Sequence, residues 1–123
     1  MAKQQQLTFP KRGEIYLVNF DPTVGSEIQK TRPALILQND VSNQHSPITI
    51  VAALSSKFDC ELYPTEVLIN PPEGGLSLAS VVLLNQIRSI DRQRLVKRLG
   101  IISDQLLEKV NSAIQISLGL IDL

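Results

Sequence analysis

The sequence predicts a mainly β fold, a small, strongly curved antiparallel barrel closed by one C-terminal α-helix. Three observations predict it. Short runs rich in β-branched and apolar residues follow one another at close spacing, each bounded by Gly, Pro, Asn or Asp. The apolar period changes once, near Ser103, from strand-like to helical. No internal repeat and no Gly/Ser-rich linker divides the 123 residues, a length suited to one core.

Glu14 to Phe20 is the first expected strand, opened by Gly13. Ala34 to Gln38 is the second and Thr49 to Leu54 the third. Thr65 to Ile69 follows Pro64 and ends at Asn70-Pro71-Pro72. Ser80 to Asn85 comes next, with room to run on through Gln86, Ile87 and Arg88. Leu95 to Leu99 is the last, stopped by Gly100. Ser103 is a good N-cap, and Asp104 puts a negative charge where the helix dipole favours it. Leu106, Leu107, Val110, Ala113, Ile114, Leu118 and Ile121 then share one helical face. Each buried Leu or Ile there contributes roughly 1.5–3 kcal/mol, so the helix reads as structural. Two connections are long, Asp40 to Ile48 and Asn70 to Leu78. The first is polar and compatible with a short helical turn. Gly74-Gly75 makes the second pliable. Residues 1–10 read as a flexible N-terminal extension and 11–123 as a single domain.

Apolar residues make up 43% and charged residues 20%, as in an ordinary globular protein. No apolar stretch approaches the roughly 20 residues of a membrane span, so no membrane partner is expected. The opening Met-Ala-Lys-Gln-Gln-Gln lacks the apolar core of a secretion signal. Cys60 is the only cysteine, which excludes an internal disulfide and suits the cytoplasm. A net charge of zero counts against coating nucleic acid by bulk electrostatics. A local patch stays open: Arg88, Arg92, Arg94, Lys97 and Arg98 are opposed only by Asp91, and read equally as a solvated face or a polyanion-facing one.

No metal site is legible, with one His, one Cys and no carboxylate cluster at ligand spacing. No Gly-rich phosphate loop appears either, and no cofactor is expected. Cys60 lies between Asp59 and Glu61, the opposite of the electropositive setting a nucleophilic thiolate needs. His45, in the polar loop before Pro47, is a candidate general base but reads better as an exposed loop residue. Arg32 stands apart. It sits at the mouth of a strand, beside Pro33, which fixes its own φ and biases Arg32 towards extended backbone. It reads either as a surface partner of Glu27 or as a charged planar fork for phosphate oxygens. Ser55 and Ser56, at the end of the third strand, could add hydroxyls at the same rim.

Four segments carry a resemblance. They are Lys11-Arg12-Gly13-Glu14-Ile15-Tyr16, Asp21-Pro22-Thr23-Val24-Gly25-Ser26-Glu27, Arg32-Pro33 through Asp40, and Leu84-Asn85-Gln86-Ile87-Arg88-Ser89-Ile90-Asp91. Together they resemble the MazF/PemK family of toxin endoribonucleases, from about Lys11 to the C-terminus. The resemblance implies an SH3-like barrel, a symmetric homodimer and metal-independent cleavage of single-stranded mRNA to 2′,3′-cyclic phosphate and 5′-OH ends. It also implies neutralisation by a MazE-like antitoxin. The catalytic arginine of that family maps onto Arg32, and its hydroxyl partner onto Ser55, where many members have Thr. Ser26, Glu27, Arg12, Asn85, Gln86 and Arg88 are the expected RNA-binding or supporting residues. Glu27 is also a candidate general base, or the group that orients Arg32. Phe20, Phe58 and Tyr63 are the aromatics available for stacking bases, with Phe20 better suited to the core. The main alternative is a non-catalytic CcdB-like toxin that binds DNA gyrase on the same barrel. A peptide-binding SH3-like module is disfavoured by the scarcity of aromatics.

Overall fold

The structure, a computed structural model, describes residues 8–122. Its strands are β1 (Glu14–Asn19), β2 (Thr31–Ile36), β3 (Ile48–Ser55), β4 (Glu66–Ile69), β5 (Ser80–Asp91) and β6 (Leu95–Ile101). The short helix α1 (Asp40–His45) lies between β2 and β3, and α2 (Asp104–Ser117) follows β6. All pairings are antiparallel, in the order β4-β5-β3-β2-β1-β6, so one sheet curls into a half-barrel. Alternation puts two apolar layers on its two faces. Ile15, Leu35, Ala52, Leu54, Val82 and Leu84 pack with α2 through Val110 and Ala113. Val18, Phe20, Ala34, Ile36, Val51, Ala53 and Ile90 form the other layer.

The caps follow the sequence. Ser103 Oγ accepts the Leu106 amide at 3.2 Å, and Asn39 Oδ1 accepts the Ser42 amide at 2.8 Å. The polar 40–48 connection does hold a helical turn. It is anchored by buried Asn43, which accepts from the Thr49 hydroxyl at 2.7 Å.

Three strand boundaries differ from expectation, for reasons that bear on function. β2 starts earlier, at Thr31, and includes Pro33 although it lies inside the sheet. Proline is tolerated because the β2–β3 ladder begins only at Ala34↔Ala53, while Val18↔Arg32 and Leu17↔Pro33 pair on the β1 side alone. The sheet is therefore open between β2 and β3 beside Arg32. β5 is continuous to Asp91 but carries a wide bulge. Ala52 pairs with Ile87, whereas Leu54 pairs with Val82. The extra length re-aims Asn85 and Gln86. β6 runs through Gly100, which does not stop it. The 3₁₀ turn Glu73–Gly75 packs against this strand so tightly that a Cβ on Gly100 would lie 2.6 Å from the Gly74 carbonyl carbon. A Cβ on Gly75 would lie 1.9 Å from the Leu99 carbonyl oxygen. The paired glycines thus serve close approach, correcting the expectation of a pliable loop.

Residues 8–10 of the expected flexible extension lie against the domain. Pro10 is buried and the Thr8 carbonyl accepts from Arg92 Nη2 at 3.2 Å. Residues 1–7 lie outside the described residues.

Candidate active site

Arg32 lies at the β2 mouth, half-buried, and lines a cleft of about 310 Å³ with Leu17, Pro33, Leu54, Ser56 and Leu78. Its Nε donates to the Gln29 carbonyl at 2.9 Å. That bond fixes the plane of the guanidinium. Among the described residues its terminal amines carry no hydrogen bond. The expected Glu27 partner is not there: Glu27 is exposed and its Oε1 accepts the Val24 amide at 2.8 Å within its own turn. The only ion pair among the described residues is Arg98–Glu14. The cause is local. Gly25, at φ +61°, turns the chain so that the carboxylate folds back on Val24.

The hydroxyls at the end of β3 divide. Ser56 lines the Arg32 cleft. Ser55 is half-buried, and its Oγ accepts the Lys57 amide at 3.1 Å and donates to the Lys57 carbonyl at 3.2 Å. Strand alternation puts Ser55 on the face of Val51 and Ala53, the face that Arg32 shares with Ala34.

A second groove, about 520 Å³, gathers Ser26, Glu27, Ile28, Asn85, Gln86, Ile87 and Arg88. Residues some 60 positions apart meet here because the β5 bulge reaches the β1–β2 loop: Gln86 Oε1 accepts the Ile28 amide at 2.9 Å. Arg88 is half-buried. Its guanidinium carbon sits 5.6 Å from the centroid of the Phe20 ring, and Nη1 donates to the Phe20 carbonyl at 3.2 Å. Phe20 is fully buried, so it belongs to the core, as its sequence context suggested. Thus five of the expected residues, Ser26, Glu27, Asn85, Gln86 and Arg88, share one groove, and Arg32 lines another.

The family model described as PemK-like, MazF-like toxin of type II toxin-antitoxin system matches residues 11–118. The chain belongs to that family. It is 45% identical over 112 residues to endoribonuclease EndoA of Bacillus subtilis, covering 91% of this chain and 97% of that protein. Among solved structures it is similar to MazF of Deinococcus radiodurans, with a TM-score of 0.79 at 28% identity, covering 91% of this chain and 98% of that one. A MazE–MazF structure from the same organism matches with a TM-score of 0.71 at 26% identity, covering 91% and 97%. These matches favour the ribonuclease reading, and the gyrase-binding alternative is set aside.

In this MazF-family chain Arg12 stands away from both clefts. It flanks the opposite end of β1 from Val18, the partner of Arg32. Its Nε donates to the Leu37 carbonyl at 2.9 Å and its Nη2 to Asn111, tying β1 to α2. The basic run is likewise knitted into the fold. Arg92 donates to the carbonyls of Asn43, Ser46 and Thr8, and Arg94 to those of Asn19 and Asp21. Arg98 pairs with Glu14 at 2.6 Å. The patch stays partly solvated, with Arg98 and Lys97 exposed, while Arg92 and Arg94 are tied to backbone carbonyls. Nearby, burial first and the Glu14 carboxylate second push the Tyr16 hydroxyl above its ordinary value, against Arg98 and Arg92. Among the described residues no three His, Cys, Asp or Glu side chains gather as a metal site would require, and no helix is long and apolar enough to cross a membrane. Sequence reading missed Gln29, whose backbone carbonyl holds Arg32. A carbonyl carries no side-chain signal.

Proposed function

We propose that the chain is the endoribonuclease of a toxin-antitoxin pair, cleaving single-stranded mRNA without a metal ion, with Arg32 at the reaction centre. The observation that carries this is the guanidinium itself: oriented by Gln29, sited at an open rim, and left with unused donors. RNA brings its own nucleophile. The 2′-oxygen forms a bond to phosphorus while the bond from phosphorus to the 5′-oxygen breaks. The 2′-hydroxyl proton leaves to a base and the departing oxygen gains one. The products are a 2′,3′-cyclic phosphate and a 5′-OH. The protein has to align the attack and stabilise charge on the phosphorane. Arg32 supplies the charge and a bidentate fork. Ser55, on the same strand face, supplies a hydroxyl for a phosphate oxygen by giving up its 3.2 Å bond to Lys57. A second reading gives that role to Ser56, because Ser56 lines the cleft. The groove of Ser26, Asn85, Gln86 and Arg88 holds the flanking RNA.

Glu27, exposed and held within its own turn, serves the RNA groove and not the orientation of Arg32. Arg12 acts as scaffold. The partner is a small antitoxin of the kind seen with MazF in the MazE–MazF structure. The chain works as a homodimer in the cytoplasm. Exposed Val96 and Ile101 on the edge strand β6, with Leu118, Leu120 and Ile121, support self-association.

Purified protein should cut single-stranded RNA in excess EDTA and leave 5′-OH ends, read by end-labelling. Activity that appears only on adding a divalent cation would reject the chemistry. Sedimentation velocity at micromolar concentration should give a dimer, and a purely monomeric species would remove that part of the proposal.

A further inference from the structure

A third cavity, about 530 Å³, opens beside the Arg32 cleft, and Ser56 lines both. Its other walls are Lys57, Phe58, Asp59, Tyr63 and Glu66. The segment that carries them, between β3 and β4, is pinned at both ends. At its start, Ser55 Oγ clamps the backbone of Lys57. At its end, the Tyr63 amide donates to Glu66 Oε1 at 3.0 Å, and the Glu66 amide returns a bond to the Tyr63 carbonyl at 2.9 Å. Tyr63 is nevertheless 66% exposed and Phe58 37%. The backbone around Tyr63 is fixed while its side chain faces solvent, an arrangement that lowers the entropy cost of stacking on a ligand.

The walls narrow the choice of occupant. Aromatic faces stack the splayed bases of single-stranded RNA. Ionised carboxylates accept hydrogen bonds and donate none. Asp59 and the second oxygen of Glu66 therefore match the exocyclic amino groups of adenine, cytosine and guanine. At the exocyclic position uracil presents O4, an acceptor, and there a carboxylate is mismatched, with only the ring N3–H left to donate. Lys57 adds a cation for the neighbouring phosphate. We propose that this cavity, joined to the Arg32 cleft through Ser56, holds the nucleobase flanking the scissile phosphate, stacked on Tyr63 and Phe58 and selected for its amino group by Asp59 and Glu66. The inference rests on the ribonuclease reading and deepens it by naming where base preference is set.

The test uses full-length protein, a randomised RNA pool with sequenced cut ends, and binding to an oligonucleotide made uncleavable by a 2′-deoxy sugar at the cut site. Tyr63→Ala should weaken binding and raise KM by about 5- to 100-fold, the range of one stacked base, with kcat changed far less. Tyr63→Phe should restore binding. Asp59→Asn replaces an acceptor-only group by one that also donates, and should raise the frequency of uracil at one position flanking the cut. Because Asp59 is exposed, this variant reads out even if Tyr63→Ala folds poorly. Unchanged KM in Tyr63→Ala together with unchanged base frequencies in Asp59→Asn would overturn the inference. Arg32→Ala, run in parallel, separates the two failures. If it abolishes cutting while the pocket variants behave as wild type, only the pocket is wrong. If it cuts like wild type, the reaction centre itself is misplaced.

Discussion

Arginines sit in two kinds of place in this molecule, and the difference separates scaffold from chemistry. Around the turn between β5 and β6, Arg92 gives both terminal amines and Arg94 its Nη1 to backbone carbonyls, and Arg98 gives its Nε and its charge to Glu14. At the mouth of β2, Arg32 commits only its Nε, to a neutral carbonyl, has no carboxylate partner among the described residues, and lines a cleft. A fork whose donors or charge are spent within the fold is a rivet. One that is oriented yet unspent is available to a phosphate, and its alignment costs nothing further at the moment of reaction. Charge density in the sequence points the wrong way here. The crowded run from Arg88 to Arg98 is mostly structural, and the isolated Arg32 is the candidate catalyst.

The largest expected effect breaks or keeps this contrast directly. Arg32→Ala should lower RNA cleavage by about 10²–10³ while leaving the melting temperature and far-UV spectrum unchanged. Normal turnover would show that unspent donors do not mark the site. An unfolded variant would show that Arg32 is a rivet too.

How legible this was depends on the range of the contacts involved. The strand runs and the Ser103 cap are local signals, and the half-barrel closed by α2 follows from them. The mouth at Arg32 was visible because Pro33 announces where the ladder to β3 must lapse. The β5 bulge was not, because it comes from the offset between two partner registers, on β3 and β4, that no single window contains. Nor was the fate of the arginines. Arg92 finds Thr8 across 84 positions and Arg88 finds Phe20 across 68, and the acceptors are main-chain carbonyls that look alike in every sequence. The Gly75–Gly100 approach is hidden for the same reason, since each glycine excuses the other.

The converse substitution sharpens the contrast. Arg92→Ala removes donors from three carbonyls that knit α1, its C-terminal cap and residue 8 to the β5–β6 turn. Hydrogen bonds to a charged donor are worth about 1.5–3 kcal/mol when removal strands the acceptor, and these carbonyls are only partly buried. A loss of about 1–2 kcal/mol in a urea titration is expected, with cleavage per folded molecule unchanged. Loss of cleavage without loss of stability would move Arg92 from the scaffold to the RNA surface.

The smallest effect concerns which hydroxyl answers Arg32. The two serines are adjacent, yet they differ as the arginines do: Ser55 Oγ is engaged with Lys57 at 3.1 and 3.2 Å, while Ser56 lines the cleft. If availability decides, Ser56→Ala is the damaging change. If strand face decides, it is Ser55→Ala, because residues 51, 53 and 55 alternate onto the side that Arg32 shares. We expect strand face to win. The Ser55 donor bond is long for a hydroxyl, so exchanging it for a phosphate oxygen costs little. Ser55→Ala should therefore reduce kcat about tenfold, roughly the worth of one hydrogen bond to a charged group, and Ser56→Ala by less than half that factor. Ser55→Thr should keep activity, since it retains the hydroxyl and restricts its rotamers. A reversed order of the two alanine variants would assign the phosphate contact to Ser56 and leave Ser55 as the clamp on the β3–β4 segment.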